Sequence, residues 1–298
     1  FRPAFLAPII SLIRGLTDPL CGYNMGQTAE LVAYQFGITR KDMDEFAVRS
    51  HRLAAEAAER GYYNDLAPLY DRRGRAYQVD DGVRADSSVE KLAKLRPVFD
   101  RKYGMVTAAN SSQVTDGSAM LLLASEEAVE QYGLNPRGRI TDVHWAGLDP
   151  KVMGLGPVMA STPILQRHGL SLNDIDYWEI NEAFAAQLIG CLRAWEDADF
   201  CQRHFDMDAP LGQVNLDTVN VDGNFCMVAN NPGTSTTVAG ATPVCYALYS
   251  DANKDKIKAG SCVCTGQEEA GFAGCTGSND LKTCGDGKNQ SCNVDWCA

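Results

Sequence analysis

The chain has 298 residues, 45% of them hydrophobic and 22% charged, which fits one large or two ordinary globular domains with a buried core. Its 27 basic and 38 acidic side chains give a net charge of −11 and a pI near 4.8, which excludes a general electrostatic footprint for nucleic acid or anionic lipid. Pro3, Pro8 and Arg14 interrupt the apolar opening, and no run approaches the roughly eighteen apolar residues of a membrane helix, so no span is predicted. That opening starts with Phe and has no basic region followed by an A-x-A-like site, so it reads as the start of a fragment and not as a signal sequence.

Taken in chain order, Gly22–Phe36 carries an apolar stripe of Ala29, Val32, Ala33 and Phe36 and predicts a helix. Thr39 with Asp42 has the form of a capping box. Met43, Phe46, Ala47, Leu53, Ala54 and Ala57 then recur at helical spacing until Gly61, predicting a long amphipathic helix. From Ala67 to Pro97 the chain is charged and irregular, with turn signals at Asp71–Arg75 and Asp80-Asp81-Gly82, as in an excursion over a surface. Asp116–Tyr132 is expected to be helical, Gly138–Ala146 a strand rich in β-branched residues, Tyr177–Ile180 a short strand and Glu182–Trp195 a helix. This alternation predicts an α/β fold.

The cysteines divide the chain. Cys21, Cys191 and Cys201 are scattered through the first 225 residues, whereas eight crowd into the last 73, in a segment rich in Gly, Asn, Ser and Thr. Sparse cysteines suit a reduced compartment and the crowded ones a secreted, disulfide-stapled module. Zinc fits the tail poorly, because Cys262 and Cys264 are separated by one residue and no His lies beyond His204.

Six segments occur in a particular order and spacing: Gly22-Tyr23-Asn24-Met25-Gly26-Gln27-Thr28-Ala29-Glu30, Lys94–Asp100, Thr107-Ala108-Ala109-Asn110-Ser111-Ser112, Asp116-Gly117, Asp149–Pro157 and Asn181-Glu182-Ala183-Phe184-Ala185. In this order they resemble the signatures of the thiolase family, most closely the acetyl-CoA acetyltransferases of fatty-acid β-oxidation, over about residues 15–224. The resemblance implies an α/β thiolase-like fold of helices layered on mixed sheets. Residues 1–135 would close the N-terminal half with its CoA-binding excursion, residues 136–224 would open the C-terminal half, and the Cys-rich irregular tail of 225–298 would be unrelated. It implies acyl transfer that forms or cleaves a carbon–carbon bond in a 3-ketoacyl-CoA. Coenzyme A or acyl-CoA would be the substrate, with no permanently bound cofactor or metal. The implied partners are the acyl-CoA and a second copy of the chain in a homo-oligomer, in the cytoplasm, or in mitochondria or peroxisomes if the source is eukaryotic.

Such chemistry needs a thiolate nucleophile and preplaced donors for developing oxyanions. By resemblance Asn181 is the catalytic amide, holding a water in the oxyanion hole; an amide suits that task because it donates without titrating. By local sequence alone Asn181 could equally cap the following helix. Ser112 matches the serine that binds the pantetheine arm, although Asn-Ser-Ser is also an ordinary turn. Met25, Met153 and Phe184 match residues lining the pantetheine and acyl pocket, and Phe99 one near the adenine; each could be simple core. Arg84 matches a cation near the nucleotide phosphates, or is a solvated surface Arg. His51, His144, His168 and His204 match no catalytic His and are expected at the surface or at helix ends.

The family's acylated Cys setting, Cys-Ser-x-Gly, does not occur here, and Cys21 precedes its motif instead of standing in one. Val219-Asn220-Val221-Asp222-Gly223 leads into the family's glycine pair, but Asn224 follows and no Gly-His-Pro is found. Cys264-Thr265-Gly266 and Cys275-Thr276-Gly277 match the family's second Cys turn only as triplets. The 298 residues alone are therefore expected to lack turnover. A CoA-binding remnant without catalysis, or a secreted module at Cys226–Cys297, are the alternative functions.

Overall fold

The computed structural model describes residues 14–63, 66–80, 82–114 and 119–223, and the backbone of 246–248. Two helices open it, each started by a reciprocal cap. Helix α1 (Met25–Gln35) is capped by Asn24, whose carboxamide accepts from the Gln27 amide at 2.9 Å while Gln27 accepts from the Asn24 amide at 3.0 Å. Helix α2 (Arg40–Glu59) has the expected Thr39–Asp42 box, at 3.2 and 3.0 Å. Its buried face carries Met43, Phe46, Ala47, Ala54 and Ala57 as the periodicity predicts, and also Asp44, Ser50 and His51.

The charged excursion carries short regular elements. Strands β1 (Leu69–Tyr70) and β2 (Ala76–Tyr77) pair antiparallel around a turn in which the Asp71 carboxylate accepts from the Arg73 and Arg75 amides. A single-turn helix α3 (Val89–Leu92) follows, capped by Ser88. The helix expected over Asp116–Tyr132 is confined, among described residues, to α4 (Glu126–Tyr132), capped by Ser125 and ended by Gly133 in a left-handed conformation. Met120, Leu121 and Leu122 before it are irregular and largely exposed. An apolar run without a packed neighbour gains nothing by coiling, so local propensity alone does not hold a helix there.

The strand expected at Gly138–Ala146 is also absent: that segment is irregular, with no ladder partner among described residues, and a strand exists only where another strand takes up its hydrogen bonds. Asp142 in it is held by side chains instead. Its carboxylate accepts from Arg167 at 2.8 and 3.1 Å and from His168 Nε2 at 2.8 Å, both at the C-terminal end of helix α5 (Gly156–His168). Asp142→Asn is expected to lower stability by about 2 kcal/mol, since a charge-assisted buried pair is lost while the shape remains. A melting curve checks this; an unchanged midpoint would mean the cluster is indifferent to the charge.

Helix α5 itself is missed by the sequence reading, because Pro157 and Pro163 obscure its period; Pro157 stands in its first turn, where a missing N–H costs little. Strand β3 (Tyr177–Glu179) forms as predicted and pairs antiparallel with β4 (Tyr246–Leu248), while Trp178 also bridges to Val219. Helix α6 (Ala185–Glu196) is followed by α7 (Ala198–Phe205), which starts on the Asp197 cap and has no counterpart among the elements predicted from sequence.

The core lies where α1, α6 and the 3-10 segment Pro150–Leu155 meet, with Val32, Ala33, Leu155, Leu188 and Trp195 buried. Gly190 permits this approach: a Cβ there would stand 2.3 Å from the Val32 side chain. Trp178 and Trp195 stack obliquely with centroids 5.0 Å apart, and Trp195 donates to Thr162 at 3.0 Å. The described strands form two two-stranded sheets, of which β3 packs on α6 through Trp178 and Trp195, an α/β arrangement. The proposed disulfide framework of Cys226–Cys297 lies outside the described residues, apart from the β4 backbone. The described cysteines, Cys21, Cys191 and Cys201, are free thiols.

Candidate functional site

Two stretches distant in sequence are zipped together at the N-terminal end of α6. The Ser112 amide donates to the Ala183 carbonyl at 2.8 Å, the Ala185 amide to the Asn110 carbonyl at 3.0 Å, and Ser111 bridges to Phe184. The turn behind Ser112 is fixed from inside. Asn110 is buried; its carboxamide accepts from the Thr107 amide at 2.8 Å and donates to Asp44 of α2 at 3.0 Å. Arg40, one turn earlier, holds Asp44 with two bonds of 2.8 and 2.9 Å. Every polar atom in this chain of contacts has a partner, which is what lets it be buried.

Phe99 is delivered by a second device. Glu30 of α1 accepts from the Met105 and Val106 amides at 2.9–3.0 Å, gripping the Asp100–Val106 turn. The ring of Phe99 then lies over Gly26, where a Cβ would come within 2.2 Å of it, and meets Phe184 edge to face at a centroid distance of 6.1 Å. Met25 begins α1 and Met153 lies in the 3-10 segment packed against α1 and α6; both are half-buried. Of the residues selected by sequence, Ser112, Phe99 and Phe184 are brought together, with Met25 and Met153 on elements packed around them.

Asn181 lies three residues before Phe184, half-buried, and no described residue hydrogen-bonds its carboxamide. The capping alternative is corrected: α6 starts at Ala185 with Phe184 as its N-cap and no side-chain cap bond, because the backbone of residues 183–185 is bonded to the Asn110–Ser112 turn. Arg84 is set apart, meeting α2 at His51, about two helical turns along that helix from Asp44. Its amide donates to His51 Nδ1 at 3.1 Å. His51 is thus buried in mid-helix, and not at a surface or helix end; burial and the adjacent Arg84 lower its pKa, which suits an accepting, neutral ring. His168 does close a helix, but is buried as well.

Among the described carboxyls, a large upward shift falls on a residue the sequence reading passed over. Glu182 is fully buried, and desolvation raises its pKa to about 7 against hydrogen bonds from Asn220 at 2.6 Å and Ser50, with Glu179 adding to the rise and Arg49 opposing it. Its one signal was an acidic residue set between Ile180 and Phe184. A carboxyl whose folded pKa exceeds the ordinary 4.5 binds more protons folded than unfolded between those values, so its contribution to stability is full at low pH and is lost as pH rises through about 7. That loss is on the order of 3 kcal/mol. Glu182→Gln should remove this slope, measured as the difference in melting temperature between pH 5 and pH 8; a slope unchanged by the substitution sinks the assignment.

Among the described thiols, Cys191 is no nucleophile, since burial pushes its pKa to about 12 and it donates to the Gly154 carbonyl at 3.2 Å. Among the described residues no cluster has the donors for a metal ion, and no helix is long and apolar enough to cross a membrane.

The thiolase N-terminal domain model matches residues 9–127, and the thiolase C-terminal domain model matches residues 134–272. The chain belongs to the thiolase family. A 3-ketoacyl-CoA thiolase of Marinobacter nauticus is 46% identical over 174 residues, 57% of this chain and 44% of that one. A 3-ketoacyl-CoA thiolase of Pectobacterium atrosepticum is 38% identical over 228 residues, 74% of this chain and 51% of its own. The crystal structure of human mitochondrial 3-ketoacyl-CoA thiolase in complex with CoA superposes with a TM-score of 0.61 at 34% identity, covering 74% of this chain and 51% of that one. The fold is therefore the α/β thiolase fold, and the chain spans about half the length of the thiolases it matches. The second match continues past Gly223, where the motif resemblance stops.

Proposed function

We propose that this thiolase chain carries the CoA-binding excursion and the oxyanion-side amide of an acyltransferase that forms or cleaves the carbon–carbon bond of a 3-ketoacyl-CoA in fatty-acid β-oxidation. The observation that carries the reading is the zipper between Asn110–Ser112 and Ala183–Ala185, which sets the Ser112 turn and the Phe99–Phe184 ring pair beside the segment bearing Asn181. In this reading the Ser112 hydroxyl binds the pantetheine arm, and Met25, Met153 and Phe184 line its apolar path. Phe99 flanks the adenine and Arg84 offers a fixed cation to the phosphates. The Asn181 carboxamide donates, through a water, to the oxygen on which negative charge develops. CoA is substrate and no permanently bound cofactor is invoked. A homo-oligomer, a domain division near residue 135, and a cytoplasmic, mitochondrial or peroxisomal location belong to the same proposal.

Calorimetric titration of the chain with acetyl-CoA tests the binding half. Phe99→Ala should weaken binding about tenfold, since an aromatic contact and the support of Phe184 are both lost. Ser112→Ala should weaken it by a smaller factor. Wild-type affinity in both variants would refute the pocket.

A further inference from the structure

We infer that Asn220 and Glu182 form a clamp on the residues either side of Asn181, and that both are positioning residues for its carboxamide; this rests on the reading of Asn181 as an oxyanion-side donor. The geometry is closed on three sides. The Asn220 carboxamide takes the Ile180 peptide at both ends, accepting from its N–H at 2.8 Å and donating to its C=O at 2.8 Å. The same Asn220 nitrogen donates to Glu182 Oε1 at 2.6 Å. One buried amide therefore grips the residue before Asn181 by its backbone and the residue after it by its side chain. The other Glu182 oxygen accepts from Ser50 of α2, so the grip is tied to the helix that also anchors Asn110.

Asn220 can do this because its own backbone is turned inward: its φ is +45°, its amide donates to the Trp178 carbonyl at 2.8 Å, and Arg49 ties down the Leu216 and Val219 carbonyls at 2.6 and 2.8 Å. A hydrogen-bond donor aimed at a transition state must be held within a fraction of an ångström. Asn181 has no side-chain partner among the described residues, so its orientation depends on its two neighbours. Both neighbours are buried.

The test is NMR of the full chain, following the side-chain amide of Asn181 with that of Gln187, in the first turn of α6, as the control. Glu182→Met and Asn220→Asp should each leave the Asn181 amide mobile and speed hydrogen exchange at the Ile180 amide about tenfold, with Gln187 unmoved. Glu182→Gln should retain wild-type behaviour, because its carbonyl still accepts from Asn220 and its amide can donate to the Ser50 hydroxyl. If the Glu182→Met chain does not fold, Ser50→Ala loosens the same carboxyl from outside and is held to the same outcome. An Asn181 amide that stays ordered in the clamp variants, or that loosens only together with Gln187, overturns the inference. Separately, acetyl-CoA should shift the wild-type Asn181 amide; no shift would remove the donor reading itself, by a measurement independent of the clamp.

Discussion

Gly223→Ala should destabilise the chain by about 4 kcal/mol, the largest single-methyl effect expected outside the site. Gly223 has a φ of +75°, a left-handed backbone that costs an alanine about 1 to 2 kcal/mol. An added Cβ would also stand 2.5 Å from the Ala54 amide nitrogen and 2.5 Å from the Ser50 carbonyl oxygen, both backbone atoms of α2 that cannot swing aside. The turn is held against that helix from two directions, by the Gly223 amide donating to the Asn220 carbonyl at 3.0 Å and by the Tyr63 hydroxyl donating to the Asp222 carbonyl at 2.7 Å. Relief requires the turn to lift off α2, which pulls on the Asn220 clamp. The control is Gly169→Ala, where φ is +62° but nothing lies within 4 Å of the new Cβ, so only the backbone cost of about 1 kcal/mol remains. In thermal melts the first variant should lose roughly 10 °C and the second a few degrees. Equal shifts would show that the contact with α2 is soft.

In a chimera that supplies the remaining segments from a 3-ketoacyl-CoA thiolase relative, the proposed oxyanion role predicts that Asn181→Ala lowers kcat by about 10² to 10³ and leaves KM within a small factor. On the proposed reading the carboxamide meets charge that exists only as the tetrahedral or enolate oxygen forms, so its removal should raise the barrier by roughly 3 to 4 kcal/mol without weakening the bound ground state. Ser112→Ala is the contrasting case, because the pantetheine contact proposed for it would be made equally before and during reaction, so its loss belongs in KM. Steady-state thiolysis of a 3-ketoacyl-CoA separates the two. Were kcat of the Asn181→Ala enzyme to stay within threefold of wild type, the oxyanion role would pass to another group.

How far the site was legible depended on how its parts are connected. Asn181, Ser112, Phe99 and Phe184 stand in short contiguous motifs, so they could be named without a structure, although whether they converge could not. Glu182 lies inside the same motif, yet a carboxyl reads as a polar surface residue until its burial is known, and burial is a property of what packs over it. In the sequence Asn220 is only part of a run leading to Gly223; its partners Ile180 and Glu182 lie 40 and 38 residues upstream, and no local pattern encodes that pairing.

The sequence by itself determined the helices α1, α2 and α6, the β3 strand and the turn signals of the excursion, because caps and 3.6- or 2-residue periods act over a few residues along the chain. It also carried the family through the order of its motifs. Only the tertiary structure decided that Gly138–Ala146 is anchored through Asp142 instead of forming a strand, and that Met120–Leu122 do not coil. It likewise buried His51 and Glu182 and brought Asn110–Ser112 against Ala183–Ala185. Each of these depends on hydrogen-bond partners and packing surfaces supplied from tens of residues away. A local pattern can state which partners a residue needs, but their arrival is set by the fold.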